Sequence, residues 1–351
     1  MRCFCRDKSF FTFSWENVHC TALTYFYKPW SYFRPWFSEI GRPKHGCTAG
    51  WENPWGPLLF LFYINDLPNS ISSQVRLFAD DCLVYKTIKN KNDHEILQSD
   101  LHKLELWQNK WLMQFNPSKC TIMSMISSRR KAKLFDYFLC GHKLQRVTSN
   151  PYLGVELTEN LSWNMHIDKI VKKANSVLGL VRRNLYNTPK ETKIIAYQSI
   201  VRPSVEYAAS IWDPPTVKNI NKLERVQRSA ARFVYRDYER TSSVTSMLQS
   251  LEWLTLQDRR RCARLVNLYK IRNNTLHVSA ATNRLIPARS QRLHPARYKH
   301  LEAKSEVYKN SYFPRSISDW NALPSNIVIS SSVQNFKVNL KKHLISQKTF
   351  D

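Results

Sequence analysis

The hydrophobic pattern first becomes ordered at Gly56. GPLLFLFYINDLP (56–68) is an apolar run closed by Asp66 and Pro68, and VRLFADDCLVY (75–85) reads as two short β-rich arms around an acidic turn, a hairpin with carboxylates at its tip. Asn92 or Asp93 can then cap a helix on which Leu97, Leu101, Leu104 and Trp111 recur at helical spacing, and this helix should stop before Asn116-Pro117. KCTIMSMI (119–126) and PYLGVEL (151–157) are strand-like, the second with a glycine suited to a tight hairpin.

After about residue 160 the chain turns helical and basic. Thr188-Pro189-Lys190-Glu191 combines a capping hydroxyl, a first-turn proline and a glutamate three residues after the cap, predicting a helix that ends near Pro203. A second helix is expected from about Val217 to Tyr238. It puts Ile220, Leu223, Val226, Ala230, Phe233 and Val234 on one side and Lys218, Lys222, Arg225, Arg232 and Arg236 on the other. Such a cationic face suits phosphate, or simply water. Residues 241–351 add a helix with the Arg259-Arg260-Arg261 cluster, a looser basic stretch (RLIPARSQRLHPARYKH), then SYFPRSISDWNALP and a short terminal helix.

Residues 1–55 differ from all of this. They hold five of the eleven tryptophans with little helical or alternating periodicity, so the pattern assigns them no domain. They read as an aromatic-rich segment of no recognised kind, disordered or translated out of frame, or else as an apolar cover for an open sheet edge. The organisation expected is thus residues 1–55, a sheet-containing region at 56–160, a helical region at 161–240, and a basic helical region at 241–351.

Charge narrows the function. Against 27 acidic residues stand 53 Lys and Arg, a net charge of +26, which makes a polyanion the natural partner and nucleic acid the leading candidate. The eight cysteines show neither C-x-x-C spacing nor a zinc-finger cluster and read as reduced thiols of an intracellular protein. Neither a secretory leader nor a run long enough to span a bilayer is evident, so a soluble protein is expected, with no membrane partner. The arginine clusters would permit entry to the nucleus.

Asp80 and Asp81, adjacent at a hairpin tip, are the residues whose type and context suggest catalysis, because two-metal phosphoryl transfer needs carboxylates held close together around divalent cations. Bare Asp-Asp pairs are mostly exposed turns. Here FADD (78–81), preceded by GPLLFLFYINDLP and followed in order by NPSKC (116–120), YLGV (152–155) and SYFPRSISDWNALP (311–324), resembles the reverse transcriptases of non-LTR (LINE-type) retrotransposons, over roughly residues 56–345. The resemblance implies an α+β fold: a partial polymerase palm with an antiparallel sheet and helices, then a helical thumb and C-terminal region. It also implies an RNA template, a DNA primer, deoxynucleotide triphosphates and Mg2+. Asp80 and Asp81 would be the metal-binding pair, Phe78 would pack near the primer end, and Lys119 would neutralise or protonate the departing pyrophosphate. Tyr152, Leu153 and Gly154 would form the hairpin that grips the primer. Lys218, Lys222, Arg225, Arg232 and Arg236 would touch the template-primer backbone without reading bases. An ordinary strand start at Lys119 and an ordinary core turn at 152–154 are the plainer readings of those residues.

The sequence departs from this pattern in two places. The family's other palm aspartate should lie well upstream of FADD, yet no aspartate occurs between Asp7 and Asp66, and RCFCRDKSFF around Asp7 does not resemble its motif. Where a proline-glutamine-glycine loop should precede GPLLF, the chain reads AGWENPW. Nor do the fingers and the endonuclease of the family have a visible counterpart. The sequence therefore predicts an N-terminally truncated or degenerate reverse transcriptase homologue with little or no polymerase activity alone. The alternative is a non-catalytic, basic nucleic-acid-binding protein derived from such an element.

Overall fold

A computed structural model describes residues 8–13, 55–125, 135–289 and 294–347, with backbone only for 8–13, 55–57 and 59. Asp7 and the segment in place of the pocket loop (49–54) lie outside the described residues. The fold is α+β, in two compact units divided between Ser162 and Trp163.

The first unit is built on a five-stranded sheet of order β2-β3-β1-β4-β7, from β1 (Lys8–Phe13), β2 (Gln74–Phe78), β3 (Asp81–Thr87), β4 (Thr121–Met125) and β7 (Gln145–Arg146). Two short hairpins complete it, β5 (Phe138–Leu139) with β6 (His142–Lys143), and β8 (Ser149–Tyr152) with β9 (Val155–Thr158). Periodicity assigned no element to residues 1–55, but KSFFTF forms β1. It lies between β3 and β4, antiparallel to both, rather than over an open edge. Its partners are far away in sequence, so no local pattern announces it. Consecutive burial of Cys82, Leu83, Val84 and Tyr85 marks β3 as covered on both faces.

The apolar run at 56–68 becomes helix α1 (Trp55–Ile64) and a 3-10 turn (Leu67–Ser70). Helix α2 (Lys91–Trp111) buries Leu97, Leu101, Leu104 and Trp107 against Ile64, Leu67, Val84 and Ile122. Its cap is Asn90 rather than Asn92 or Asp93. The Asn90 side chain accepts from the Asp93 amide while the Asp93 carboxylate accepts from the Asn90 amide, a reciprocal capping box. The Asp66 carboxylate accepts both indole N–H groups of Trp107 (2.8 Å) and Trp111 (3.1 Å), fixing the end of α1 to the last turns of α2.

The second unit is helical. Helices α3 (Asn164–Asn184), α4 (Lys190–Ala196), α5 (Arg202–Glu206), α6 (Ala209–Trp212) and α7 (Val217–Tyr235) precede α8 (Val244–Ser250), α9 (Leu256–Arg272), α10 (Glu306–Lys309), α11 (Tyr312–Asn321), α12 (Ser325–Val328) and α13 (Val333–Ser346). The capping box expected at 188–191 does not form. The Thr188 hydroxyl donates to Leu185 O (2.9 Å), Pro189 takes the cap position, and the helical path runs past Pro203 through a π-turn (Tyr197–Val201) into α5. Pro203 sits in the first turn of α5, where its missing N–H leaves no bond unmade. Helices α3 and α7 run side by side in the same direction, tied by Asn219 to Asn164 (2.7 Å), Lys222 to Asp168 and Arg182 to Ser229 O (2.6 Å).

Around α9 the unit closes over Leu265, Leu268, Tyr269, Ile317, Trp320, Phe336 and Leu340. A charge network lies beside this core. Asp213 receives Arg260 (2.7 Å), Arg264 and Arg315 (3.1 Å), while Asp319 receives Arg261 (3.1 Å) and Arg264 (2.6 Å). Arg259 pairs with both carboxylate oxygens of Glu206 through Nε and Nη2. The arginine cluster that would permit nuclear import is thus folded against carboxylates, with Arg260 only 1 % exposed. Among the described residues, Cys82, Cys120, Cys140 and Cys262 are free thiols, and no helix is long and apolar enough to cross a membrane.

Two outcomes check these packing arguments. Asp213→Asn leaves buried guanidinium groups without their counter-charge and should cost about 3–5 kcal/mol of unfolding free energy, measured by urea denaturation. Asp100 is fully buried and accepts from Ser72 N (3.0 Å), Ser73 N (2.7 Å) and the Ser72 hydroxyl (2.9 Å). Burial alone would raise its pKa, but these hydrogen bonds together hold it below the usual carboxylate value. A lowered folded pKa means that its stabilisation is complete above the unfolded value and vanishes as pH falls through the folded one. Asp100→Asn should therefore lower stability at neutral pH by about 1–3 kcal/mol and flatten the loss of stability below about pH 4.

Candidate active site

The FADD turn is a two-residue hairpin: Phe78 pairs with Asp81, leaving Ala79 and Asp80 at the tip. Ala79 has φ +47° while Asp80 does not share the left-handed region, the sign pattern of a II′-type turn, which suits the right-handed twist of the arms. Asp80 and Asp81 are half-buried, and Phe78 is 62 % exposed beside them.

Sheet register brings the other sequence candidates to this end. β3 and β4 are both antiparallel to β1, hence parallel to each other, with Leu83, Thr12 and Thr121 in one cross-strand row. Asp81 lies two residues before Leu83 and Lys119 two before Thr121, so both stand at the same end of the sheet. Lys119 is half-buried in a turn closed by Lys119 N to Asn116 O (3.1 Å) and Cys120 N to Pro117 O (3.2 Å). Hairpin β8–β9 joins through Asn150, whose side-chain amide donates to the Thr121 hydroxyl (3.0 Å). At its tip Leu153 (φ +47°) and Gly154 (φ +76°) both take the left-handed conformation that a I′ turn requires. Tyr152 is half-buried, and its phenol is pushed above the ordinary value by burial and by the nearby charge of Asp81. Burial likewise pushes up the thiol of Cys82, next to Asp81, and that of Cys120 to about 12, so neither is a reactive thiolate.

The strand beside the hairpin contributes no acid. β1 reads KSFFTF, and Phe13, opposite Cys82, is its residue nearest the tip. Among the described residues no group of three or more His, Cys, Asp or Glu is placed to hold a metal ion. Asp80 and Asp81 offer hard oxygen donors that suit one magnesium ion, but not the fuller set a two-metal site needs. Glu16, the first carboxylate after β1, lies outside the described residues.

The basic face of α7 divides. Lys218 and Arg225 are exposed, and so is Arg228 on the same helix, which helical spacing alone did not single out. The other three have partners within the chain. Lys222 pairs with Asp168, Arg232 donates to Glu239 O (2.8 Å) and Asp237 O (3.3 Å), and Arg236 bonds Tyr186 O while stacking over the Tyr186 ring. Those partners lie in other segments, invisible to the period of α7.

Comparison with known proteins agrees with this arrangement. Residues 8–157 match the family Reverse transcriptase (RNA-dependent DNA polymerase), a span running from the first residue of β1 into β9. The RNA-directed DNA polymerase from mobile element jockey of Drosophila funebris is 25 % identical over 212 residues, 56 % of this chain and 22 % of that protein. The probable RNA-directed DNA polymerase from transposon BS of Drosophila melanogaster is 24 % identical over 249 residues, 68 % of this chain and 27 % of that protein. The Pol polyprotein from type-1 retrotransposable element R1 2 of Nasonia vitripennis is 22 % identical over 242 residues, 65 % of this chain and 57 % of that protein. The chain thus spans about a quarter of the length of the jockey and BS relatives.

If hairpin β8–β9 faces the acidic turn, Asp81→Asn removes a negative charge from the surroundings of Tyr152 and its phenol should titrate closer to the ordinary value. Ring-labelled tyrosine followed by NMR reads this directly, and an unmoved titration would separate the hairpin from Asp81. With the two-residue acidic turn, the lysine and the glycine hairpin gathered at one sheet end, and with the matches above, residues 8–157 are similar to the reverse transcriptase family and the chain is similar to RNA-directed DNA polymerases of non-LTR retrotransposons.

Proposed function

We propose that this chain descends from an RNA-directed DNA polymerase, has little or no polymerase activity by itself, and retains affinity for primed RNA templates. The observation that carries the reading is the pairing of an intact acidic hairpin with a neighbouring strand, KSFFTF, that brings no carboxylate to it. In the working chemistry, magnesium would lower the cost of forming charge on the attacking 3′ oxygen and on the leaving phosphate. Asp80 and Asp81 would hold that cation from the turn, and Lys119, at the same sheet end, would meet the charge of the departing pyrophosphate. Phe78 would support the primer terminus from its exposed position beside the turn, with Tyr152, Leu153 and Gly154 bracing the primer strand from their hairpin. Without the family's other palm aspartate the attacking oxygen would be poorly activated, and loss of one such ligand removes most of the rate. Exposed Lys218, Arg225 and Arg228 would keep sequence-independent hold on the phosphate backbone.

A second reading, a binding protein in which FADD is only a surviving turn, is favoured by the net charge of +26. The deciding assay is magnesium-dependent incorporation of deoxynucleotides on an RNA template with a DNA primer, comparing the whole chain with Asp80→Asn and Asp81→Asn. The expected result is background incorporation in all three, with salt-sensitive binding of the primed template retained. Incorporation abolished by either substitution would overturn the inactive reading and make this a working polymerase.

A further inference from the structure

The second unit contains a cavity of about 430 Å³ that the polymerase reading does not use. Five of its lining residues are cations, Arg259, Arg260, Lys270, Lys337 and Lys341, against a single carboxylate, Glu206. Glu206 is already paired with Nε and Nη2 of Arg259, and Arg260 is paired with Asp213, which leaves Lys270, Lys337 and Lys341 without a counter-charge among the lining residues. Lys337 and Lys341 stand exposed, one turn apart on α13, and Lys270 reaches the same space from the last turn of α9.

Arg260 is the informative residue. It is 1 % exposed, its Nε bonds Asp213 (2.7 Å), and both terminal guanidinium nitrogens are buried without any hydrogen-bond partner. Leaving such donors unmet costs the desolvation of each, roughly 1–3 kcal/mol or more for a charged group. An arginine fork of this kind matches two oxygens of a phosphate. The floor beside it is apolar, from Leu254, Val266 and Leu340. A cavity of this size accommodates a nucleotide-sized group, with phosphate met by cations and ribose or base by hydrocarbon.

We infer that this cavity is a second nucleic-acid contact, one that seats a backbone phosphate of a single-stranded segment against Arg260, Lys270, Lys337 and Lys341. It rests on the nucleic-acid-binding part of the proposed function and adds a site in the helical unit. The excess of cations favours a polyanion over a single carboxylate.

The test measures binding of a fluorescent single-stranded RNA 20-mer to the whole chain from 50 to 200 mM salt, for wild type and Lys337→Gln/Lys341→Gln. Both lysines are exposed, so the fold should tolerate the change, and circular dichroism verifies it. Lys304→Gln/Lys309→Gln, outside the cavity, is the charge-matched control. The expected result is affinity roughly three- to tenfold weaker for the cavity variant and a salt slope shallower by about 1.4, at 0.7 per phosphate contact on single strands, with a smaller change in the control. Equal losses in the two variants, or none, would overturn the site while leaving the proposed function standing. Wild type that fails to bind the RNA at all would overturn both. Inorganic triphosphate that stabilises wild type but not the cavity variant against heat, with RNA affinity unaffected, would assign the cavity to a free phosphate and refute the nucleic-acid contact.

Discussion

Arginines can be buried only where carboxylates meet them, and this chain has 27 acidic residues against 53 Lys and Arg. Asp213 is therefore the anchor of the helical unit. Its side chain, 4 % exposed, collects Arg260 and Arg264 from α9 and Arg315 from α11, and its backbone oxygen accepts a further bond from Arg315. Asp319 and Glu206 extend the same principle to Arg261, Arg264 and Arg259. Three carboxylates thus fix the orientation of α9, and the packing of Trp320, Phe336 and Leu340 follows from it. Breaking such a network is costly because the remaining charges stay buried.

In the sheet unit the corresponding device is smaller. Asp100 ties α2 to the chain entering β2 through the amides of Ser72 and Ser73, and Asp66 ties α1 to α2 through two indoles. These links set the height of the helix over the sheet, and so the position of the strands that end in the acidic turn. Asp66 and Asp100, like Asp213, are structural. Asp80 and Asp81 stand out by their place, half-buried at a hairpin turn.

What the sequence makes legible is what depends on neighbours in sequence. The FADD hairpin, the Leu97–Leu101–Leu104 face of α2, the glycine turn at 154 and the apolar stripe of α7 all follow from local periodicity and turn chemistry. Features that depend on distant partners are hidden. Lys222, Arg232 and Arg236 share a helix face with Lys218 and Arg225, yet they are occupied by Asp168, by carbonyls of the following loop and by Tyr186. The helix beginning near Lys190 continues past Pro203 because a π-turn shifts the proline into a new first turn, which no dipeptide rule anticipates.

The central place of β1 also has a consequence for how the protein is made. Its partners, β3 and β4, follow it by roughly 70 and 110 residues, which at ribosomal rates takes on the order of ten seconds to synthesise. Throughout that interval an apolar, aromatic strand has left the ribosome with both hydrogen-bonding edges unmatched. Such non-local pairing also closes slowly once the chain is complete. The acidic hairpin can form by itself from contiguous residues, but the sheet that carries it must wait for its first strand to be recaptured. Until then KSFFTF keeps edges open to pairing with other chains, so misassembly competes with folding during synthesis.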